Sequence, residues 1–173
     1  MFAGKTEELL RRVRRALIAG QRVTVLTHAI DTRSGADRVA SHSGLATSSV
    51  AVGSATEIPE SVPEDSQLVA IDEAHFFGLE LVPVTEALAA RGMTVLVAGL
   101  DVTYDGVPYE PMRSLMALAE SVTKLTAICT VCGADAVYHV RVKPSAASAT
   151  TLDPSHVGGA EKYQARCRRH FPR

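Results

Sequence analysis

The chain has 173 residues, 46% hydrophobic and 21% charged, which is enough to bury the core of one domain and leaves room for a small appendage. Its 18 basic and 19 acidic side chains nearly cancel, which argues against bulk electrostatic binding to nucleic acid or to an anionic membrane. No stretch approaches the ~20 apolar residues that span a bilayer, and the first residues lack a signal peptide's apolar run. We therefore expect a cytoplasmic protein, and the odd number of cysteines, 3, disfavours a disulfide framework.

The first predicted element is an amphipathic helix over residues 6–20, with apolar residues at helical spacing and Gly20 at its end. Three aliphatic runs follow at 23–26, 68–71 and 95–98. Each is almost continuously apolar, which is typical of strands buried on both faces of a parallel sheet. Further helices are predicted at 81–90 and 112–122. This alternation predicts an α/β fold, a parallel sheet flanked by helices.

Two segments do not follow that alternation. Residues 31–66 are polar and are predicted to form a loop region with one short strand near 49–52. After Thr126 come two cysteines, a short strand near 137–142, and a weakly hydrophobic stretch at 143–157 that predicts a flexible loop. This change of pattern places a domain boundary near residue 127.

Gly4-Lys5-Thr6 stands directly before the first helix. It matches the last part of a phosphate-binding loop, G-x-x-x-x-G-K-[ST]. In such a loop, backbone N–H groups and the helix N-terminus surround phosphate oxygens, the lysine reaches the terminal phosphates, and the hydroxyl holds Mg²⁺. The tripeptide alone is a weak signal, because a threonine near a helix start also serves as a simple cap.

The run at 68–71 ends in Asp72-Glu73. A carboxylate at the end of a buried strand can organise Mg²⁺, and the adjacent one can accept a proton from an attacking hydroxyl. Acidic residues also end many strands without any such role. Together with Gly-Lys-Thr upstream, however, the pair favours a nucleotide site. The sequence leaves open whether the neighbouring His75 contacts the nucleotide.

Cys129-x-x-Cys132 and Cys167-x-x-His170 use every cysteine of the chain. Two such pairs supply the four ligands of a tetrahedral Zn²⁺, and four protein ligands leave no open position, so the predicted site is structural. The alternative is that the thiols are buried and free. The other histidines are interpreted as polar loop or strand residues rather than ligands: His28, His42, His139 and His156.

In this order, the motifs resemble those of the zinc-containing thymidine kinases of bacteria and of the animal cytosol. Residues 1–6, MFAGKT, are similar to the last six positions of the family's G-P-M-F-S-G-K-T. Residues 72–77, DEAHFF, are similar to D-E-x-Q-F-F, and residues 98–101 match A-G-L-D. The stretches 119–127 and 157–163 are also similar to the family, so the resemblance covers essentially the whole chain.

The resemblance implies ATP-dependent phosphorylation of thymidine to thymidine monophosphate in nucleotide salvage for DNA synthesis, with ATP, Mg²⁺ and a structural Zn²⁺. It implies a P-loop NTPase-like nucleotide-binding domain over 1–127 and a zinc-ribbon-like domain over 128–173 that carries a loop closing over thymidine. It also implies a homotetramer, with no nucleic-acid or membrane partner.

By the same resemblance, Glu73 is the catalytic base. The implied nucleotide and Mg²⁺ site comprises Met1, Phe2, Ala3, Gly4, Lys5, Thr6, Arg33, Asp72, Glu73, Ala74 and His75. The implied thymidine site comprises Leu100, Tyr104, Tyr109, Pro154, Ser155, His156, Val157, Gly158 and Tyr163. Several positions depart from the family. His75 replaces a usual Gln, and Tyr104 and Tyr109 stand where phenylalanines are common. Asp105 stands where many bacterial relatives have Arg, and His139 stands where a Thr beside the base is common.

The first glycine of a complete phosphate loop would lie two positions before Met1. The strand that leads into such a loop would lie further upstream. We therefore expect the natural start to lie upstream, with the start assigned at an internal methionine. Two other hypotheses remain open from the sequence: a non-catalytic nucleotide- or nucleoside-binding remnant, and a zinc-ribbon nucleic-acid module. The charge balance disfavours the second of these.

Overall fold

The computed structural model describes residues 1–31, 38–40, 46–142 and 158–172. Its helices are α1 (Lys5–Ile18), α2 (Ile58–Ser61), α3 (Leu81–Ala90) and α4 (Met112–Leu118). Its strands are β1 (Val23–His28), β2 (Arg38–Ala40), β3 (Ala46–Ser48), β4 (Val50–Val52), β5 (Leu68–Asp72), β6 (Thr94–Val97), β7 (Ala127–Ile128), β8 (Asp135–Ala136), β9 (Tyr138–Arg141) and β10 (Tyr163–Arg166). Among the described helices, none combines the length and the apolar character that a membrane crossing requires.

The main sheet has four parallel strands in the order β4-β1-β5-β6. In its register, Thr27 on β1 lies opposite Asp72 on β5, and Ala70 on β5 lies opposite Leu96 on β6. Because all four strands run the same way, their carboxyl ends meet at one edge of the sheet. The predicted α/β fold with a parallel sheet flanked by helices is confirmed.

Each face of the sheet is covered by a separate apolar cluster, because alternate strand residues point to opposite faces. On one face, α1 packs against β1 and β5 through Leu9, Leu10, Val13, Ala16, Val25, Leu68 and Ala70. On the other face, Leu26, Val69 and Ile71 pack against the side of α2, α3 and α4, where Ile58, Leu81 and Leu88 are fully or almost fully buried. Burial on both faces explains why these strands are apolar at nearly every position.

A smaller core lies in the C-terminal part of the chain. There β7 pairs with β8 and β9 pairs with β10, both antiparallel. This core consists of Ala127, Cys129, Ala136, Ala165 and Cys167, with Ala3 packed against it. It begins where the sequence pattern changes, and the division into domains at residue 127 stays a prediction.

The structure corrects two secondary-structure predictions. The helix expected over 112–122 ends at Leu118, because Ala119 is already extended with φ −67° and ψ 138°. The segment predicted as a loop with one strand also contains the β2–β3 hairpin and α2. Strands of three residues are too short to show a period of two, so their sequences carry no strand signal.

A groove of about 270 Å³ runs beside β6. Consecutive strand residues, Val95, Leu96 and Val97, line it together with side chains of α1, α3 and α4. Because consecutive residues face opposite sides of a sheet, the groove follows the strand's outer edge, where β6 has no neighbouring strand in the described part of the chain.

Candidate functional site

The start of α1 and the end of β5 meet at the carboxyl edge of the sheet. Gly4 adopts φ +76°, a left-handed conformation that glycine reaches without a Cβ clash, and its carbonyl accepts the Glu8 amide at 2.9 Å. At the second residue of the helix, the Thr6 hydroxyl donates a hydrogen bond of 2.8 Å to Asp72 Oδ2. Two motifs that are 66 residues apart in sequence are therefore in direct contact.

Glu73 occupies a strained turn immediately after β5. Its φ of +52° is rare for a residue with a side chain, and such strain of ~1–3 kcal/mol is typically found at functional sites. Its amide donates to Asp72 Oδ1 at 2.9 Å, which fixes the two carboxylates side by side. Burial and the negative charge of Glu73 raise the pKa of Asp72. A cation at this position would relieve the repulsion between the two carboxylates.

His75 connects this turn to the end of β6. Its Nδ1 accepts a hydrogen bond from the Leu100 amide at 3.3 Å and lies 3.5 Å from Glu73 Oε2. The imidazole also contacts the rings of Phe76 and Tyr109, with centroids 4.1 Å and 5.2 Å away. His75 thus lies between the carboxylate and an aromatic cleft.

This cleft is narrow, with a cavity volume of about 20 Å³. It is lined by Met1, His75, Phe76, Leu100, Thr103, Tyr104, Tyr109, His139 and Tyr163. Burial, reinforced by the neighbouring phenols, raises the pKa of Tyr109 to about 12, and burial raises that of Tyr163. Both phenols are therefore neutral at pH 7, so these walls suit a flat, uncharged group.

The structure brings together part of the residue set implied by the family resemblance. Thr6, Asp72 and Glu73 meet at the sheet edge, and six residues of the set line the cleft: Met1, His75, Leu100, Tyr104, Tyr109 and Tyr163. Lys5 lines the mouth of the β6 groove beside them.

Other predicted residues lie elsewhere. Phe2 is 40% exposed, Ala3 packs on the cysteine core, and Ala74 is buried with its amide bonded to Ala98 O at 2.9 Å. Gly158 is buried at the edge of the described chain. Arg33, Pro154, Ser155, His156 and Val157 lie outside the described residues.

Three cleft residues were not predicted as site residues: Phe76, Thr103 and His139. The first two flank predicted positions in sequence, and that adjacency is the only signal they carry. His139 is separated from the sheet motifs by the whole cysteine segment. The signal for His139 was the family resemblance, in which this position is commonly a Thr beside the base.

The ligand atoms of Cys129, Cys132, Cys167 and His170 all lie within 4.8 Å of one another. Cys132 Sγ is 3.7 Å from Cys167 Sγ, and His170 Nδ1 is 3.8 Å from Cys129 Sγ and 3.3 Å from Cys167 Sγ. A tetrahedral Zn²⁺ with Zn–S bonds of ~2.3 Å separates its ligands by roughly 3.8 Å, so this donor set fits that ion. Against the effect of burial, backbone N–H groups of Cys167 and Val131 lower the pKa of the Cys129 thiol, which favours the ligating thiolate.

Comparison with known proteins agrees with the site's geometry. The sequence profile of the family described as thymidine kinase matches residues 1–171. Proteins named thymidine kinase from two strains of Halobacterium salinarum are each 46% identical over 178 aligned positions. These alignments cover 97% of this chain and 88% of each relative.

Proposed function

The chain belongs to the thymidine kinase family, and we propose that it transfers the terminal phosphoryl group of ATP to the 5′-hydroxyl of thymidine, forming thymidine monophosphate for nucleotide salvage. The observation that carries this proposal is the contact between the start of α1 and the end of β5. That contact joins the first turn of α1, which is the proposed phosphate site, to Asp72, and Glu73 directly follows Asp72. Phosphoryl transfer needs this combination of anion site, metal site and base.

In the proposed reaction, backbone N–H groups of residues 1–6 and the Lys5 ammonium bind the ATP phosphates, assisted by Arg33. Thr6 and Asp72 would hold Mg²⁺, which when bound would supply positive charge beside the phosphates. The thymidine 5′-oxygen attacks the terminal phosphorus and the bond from that phosphorus to the bridging oxygen breaks, so ADP leaves. Glu73 accepts the proton that the hydroxyl loses.

The aromatic cleft is the proposed thymidine site. Leu100, Tyr104, Tyr109 and Tyr163 would wall the base, and the segment Pro154–Gly158 would close over it. His75 ties the cleft to Glu73, since one imidazole lies against both. This arrangement directs the sugar's hydroxyl toward the carboxylate while the base stays among the rings.

We propose that Cys129, Cys132, Cys167 and His170 hold a structural Zn²⁺. When bound, the ion would crosslink the β7–β8 turn to the C-terminal end of the chain. It would take no part in the transfer step. Cys167 directly follows β10, so the crosslink would also fix the strand that carries Tyr163. The two-domain division at residue 127, the homotetramer and the cytoplasmic location stay predictions.

The test is the Glu73→Gln variant, assayed with radiolabelled thymidine, ATP and Mg²⁺. Loss of a general base lowers kcat by about 10²–10⁴-fold, while the KM for thymidine changes little because the cleft is intact. Glu64→Gln, at an exposed glutamate, is the matched control and is expected to keep full activity.

Two results would contradict the proposal. One is a wild-type protein that binds thymidine and ATP but releases no monophosphate. The other is a Glu73→Gln variant that keeps more than a tenth of the wild-type kcat.

A further inference from the structure

The ring of Phe171, near the C-terminal end of the chain, packs against a distant glycine turn. A Cβ at Gly106 would lie 2.9 Å from Cε1 and 3.0 Å from Cζ of this ring, so only glycine allows the contact. Gly106 also adopts φ +85°, a left-handed conformation that favours glycine. The face of the Phe171 ring stacks on Tyr138 of β9, with centroids 4.6 Å apart and planes inclined by 25°. Phe171 therefore has its face on β9 and its edge against the turn.

The turn at residues 103–107 is fixed by its own hydrogen bonds. The Thr103 amide donates to the Val107 carbonyl at 2.9 Å, and the Gly106 amide donates to the Thr103 carbonyl at 3.0 Å. The Val107 amide donates to the Thr103 hydroxyl at 3.0 Å. Because these bonds tie the turn together, a contact at Gly106 restrains the whole turn.

The same turn carries one wall of the aromatic cleft. Thr103, which is 1% exposed, and Tyr104 both line the cleft. The Tyr104 ring lies 6.4 Å from that of Tyr163, and the Arg141 guanidinium lies 5.8 Å from the first ring and 6.0 Å from the second. With a cavity volume of only about 20 Å³, a small shift of Tyr104 changes the room left for a flat ring. The position of the turn therefore determines the shape of the cleft.

We propose that Phe171 is a positioning residue for the nucleoside, because its ring holds the turn at 103–107 so that Tyr104 lies against the base. This inference rests on the proposed function, which places the base in this cleft. Phe171 does not line the cleft itself, so it acts through Tyr104. Glu73 and Thr6 lie at the sheet edge, so the ring contributes to nucleoside binding and not to the transfer step.

The test compares the wild type with Phe171→Leu, which keeps an apolar side chain but lacks the ring edge that reaches Gly106. Calorimetry measures the Kd of thymidine, and the radiolabel assay measures kcat. We expect the Kd to rise about three- to tenfold, because thymidine must then order Tyr104 as it binds. The value of kcat should change by less than about twofold. Gly106→Ala disturbs the same contact from the side of the turn and should also raise the Kd about three- to tenfold.

A double variant tests whether the ring acts through Tyr104. On the Tyr104→Ala background, adding Phe171→Leu should raise the Kd further by less than about twofold, because the side chain that the ring positions is gone. A ring that only supports the fold would raise the Kd by the same factor with and without Tyr104. That result would overturn the proposal.

Arg169→Gln is the matched control, since Arg169 is exposed and lies on the same C-terminal turn as Phe171. Its Kd should stay within about twofold of the wild-type value. The zinc content of Phe171→Leu, measured by elemental analysis, should equal that of the wild type, because Phe171 is not one of the clustered cysteine and histidine residues.

Three results would contradict these inferences in different ways. An unchanged Kd in both Phe171→Leu and Gly106→Ala, or a loss of zinc together with a lower kcat in Phe171→Leu, would overturn the positioning role. A wild type that binds thymidine but forms no monophosphate would overturn the proposed transfer, while the Kd values would still decide the role of Phe171. A wild type that does not bind thymidine would overturn both.

Discussion

Replacing His139 by Gln should change how stability depends on pH. In an unfolded chain histidine has a pKa of ~6.5, whereas in the folded protein burial lowers the pKa of His139 to about 3. Between these values the unfolded state binds a proton that the folded state does not. The free energy of unfolding therefore rises with pH in this window, and the wild type loses stability as the pH falls below about 6.5.

The magnitude follows from the same two values. Each pH unit in the window is worth about 1.4 kcal/mol. At pH 5.0 the solution is about 1.5 units below the unfolded pKa, so this one group destabilises the wild type by about 2 kcal/mol relative to pH 7.5. A folded pKa one unit higher would leave this value almost unchanged, because pH 5.0 would still lie above it.

Urea unfolding followed by circular dichroism, at pH 7.5 and pH 5.0 and one ionic strength, measures this effect. On going from pH 7.5 to pH 5.0, the free energy of unfolding of His139→Gln should rise by about 2 kcal/mol relative to that of the wild type, because glutamine does not titrate. Tyr138→Phe, on the same strand, should differ from the wild type by a constant amount, since a phenol does not titrate in this range. If the difference between wild type and His139→Gln is the same at both pH values, the imidazole is not kept neutral by burial and the reasoning fails.

Two further predictions concern the core and the cysteine cluster. Leu81→Ala, at a position with 0% exposure, should lower the free energy of unfolding by about 2–5 kcal/mol. Its control Leu79→Ala, at 59% exposure, should change the free energy of unfolding by less than about 0.5 kcal/mol. Similar losses in the two variants would contradict the assigned core. A chelator should remove bound zinc, measured by elemental analysis, and should lower Tm by roughly 10 °C or more. Cys132→Ser should have a lower Tm before chelation, and the chelator should lower it less. A wild-type Tm that the chelator does not change would show that the cluster does not support the fold.

Much of the fold is predictable because its strands are buried on both faces. That burial requires aliphatic residues at almost every strand position, and β1, β5 and β6 were each recognisable for this reason. The start of α1 and the end of β5, which the sequence predicts to share a nucleotide site, are in contact through Thr6 and Asp72. That this contact forms a nucleotide site stays a prediction.

What could not be predicted depends on contacts between segments with no local signal. The hydrogen bond from the Leu100 amide to His75 joins residues 25 positions apart, and neither sequence pattern nor spacing specifies it. The short hairpin of β2 and β3 is likewise held by pairing and not by apolar periodicity. The position of His139 in the cleft depends on how the cysteine segment packs onto the sheet.

An apolar replacement of His139 tests the same reasoning from the other side. The side chain is 3% exposed and burial lowers its pKa to about 3, so the folded protein holds the neutral ring. Leucine does not titrate, so His139→Leu should escape the roughly 2 kcal/mol that this position costs the wild type at pH 5.0. The difference in the free energy of unfolding between His139→Leu and the wild type should therefore favour the variant more at pH 5.0 than at pH 7.5. A difference that is the same at both pH values would show that the folded protein binds this proton as readily as the unfolded chain does.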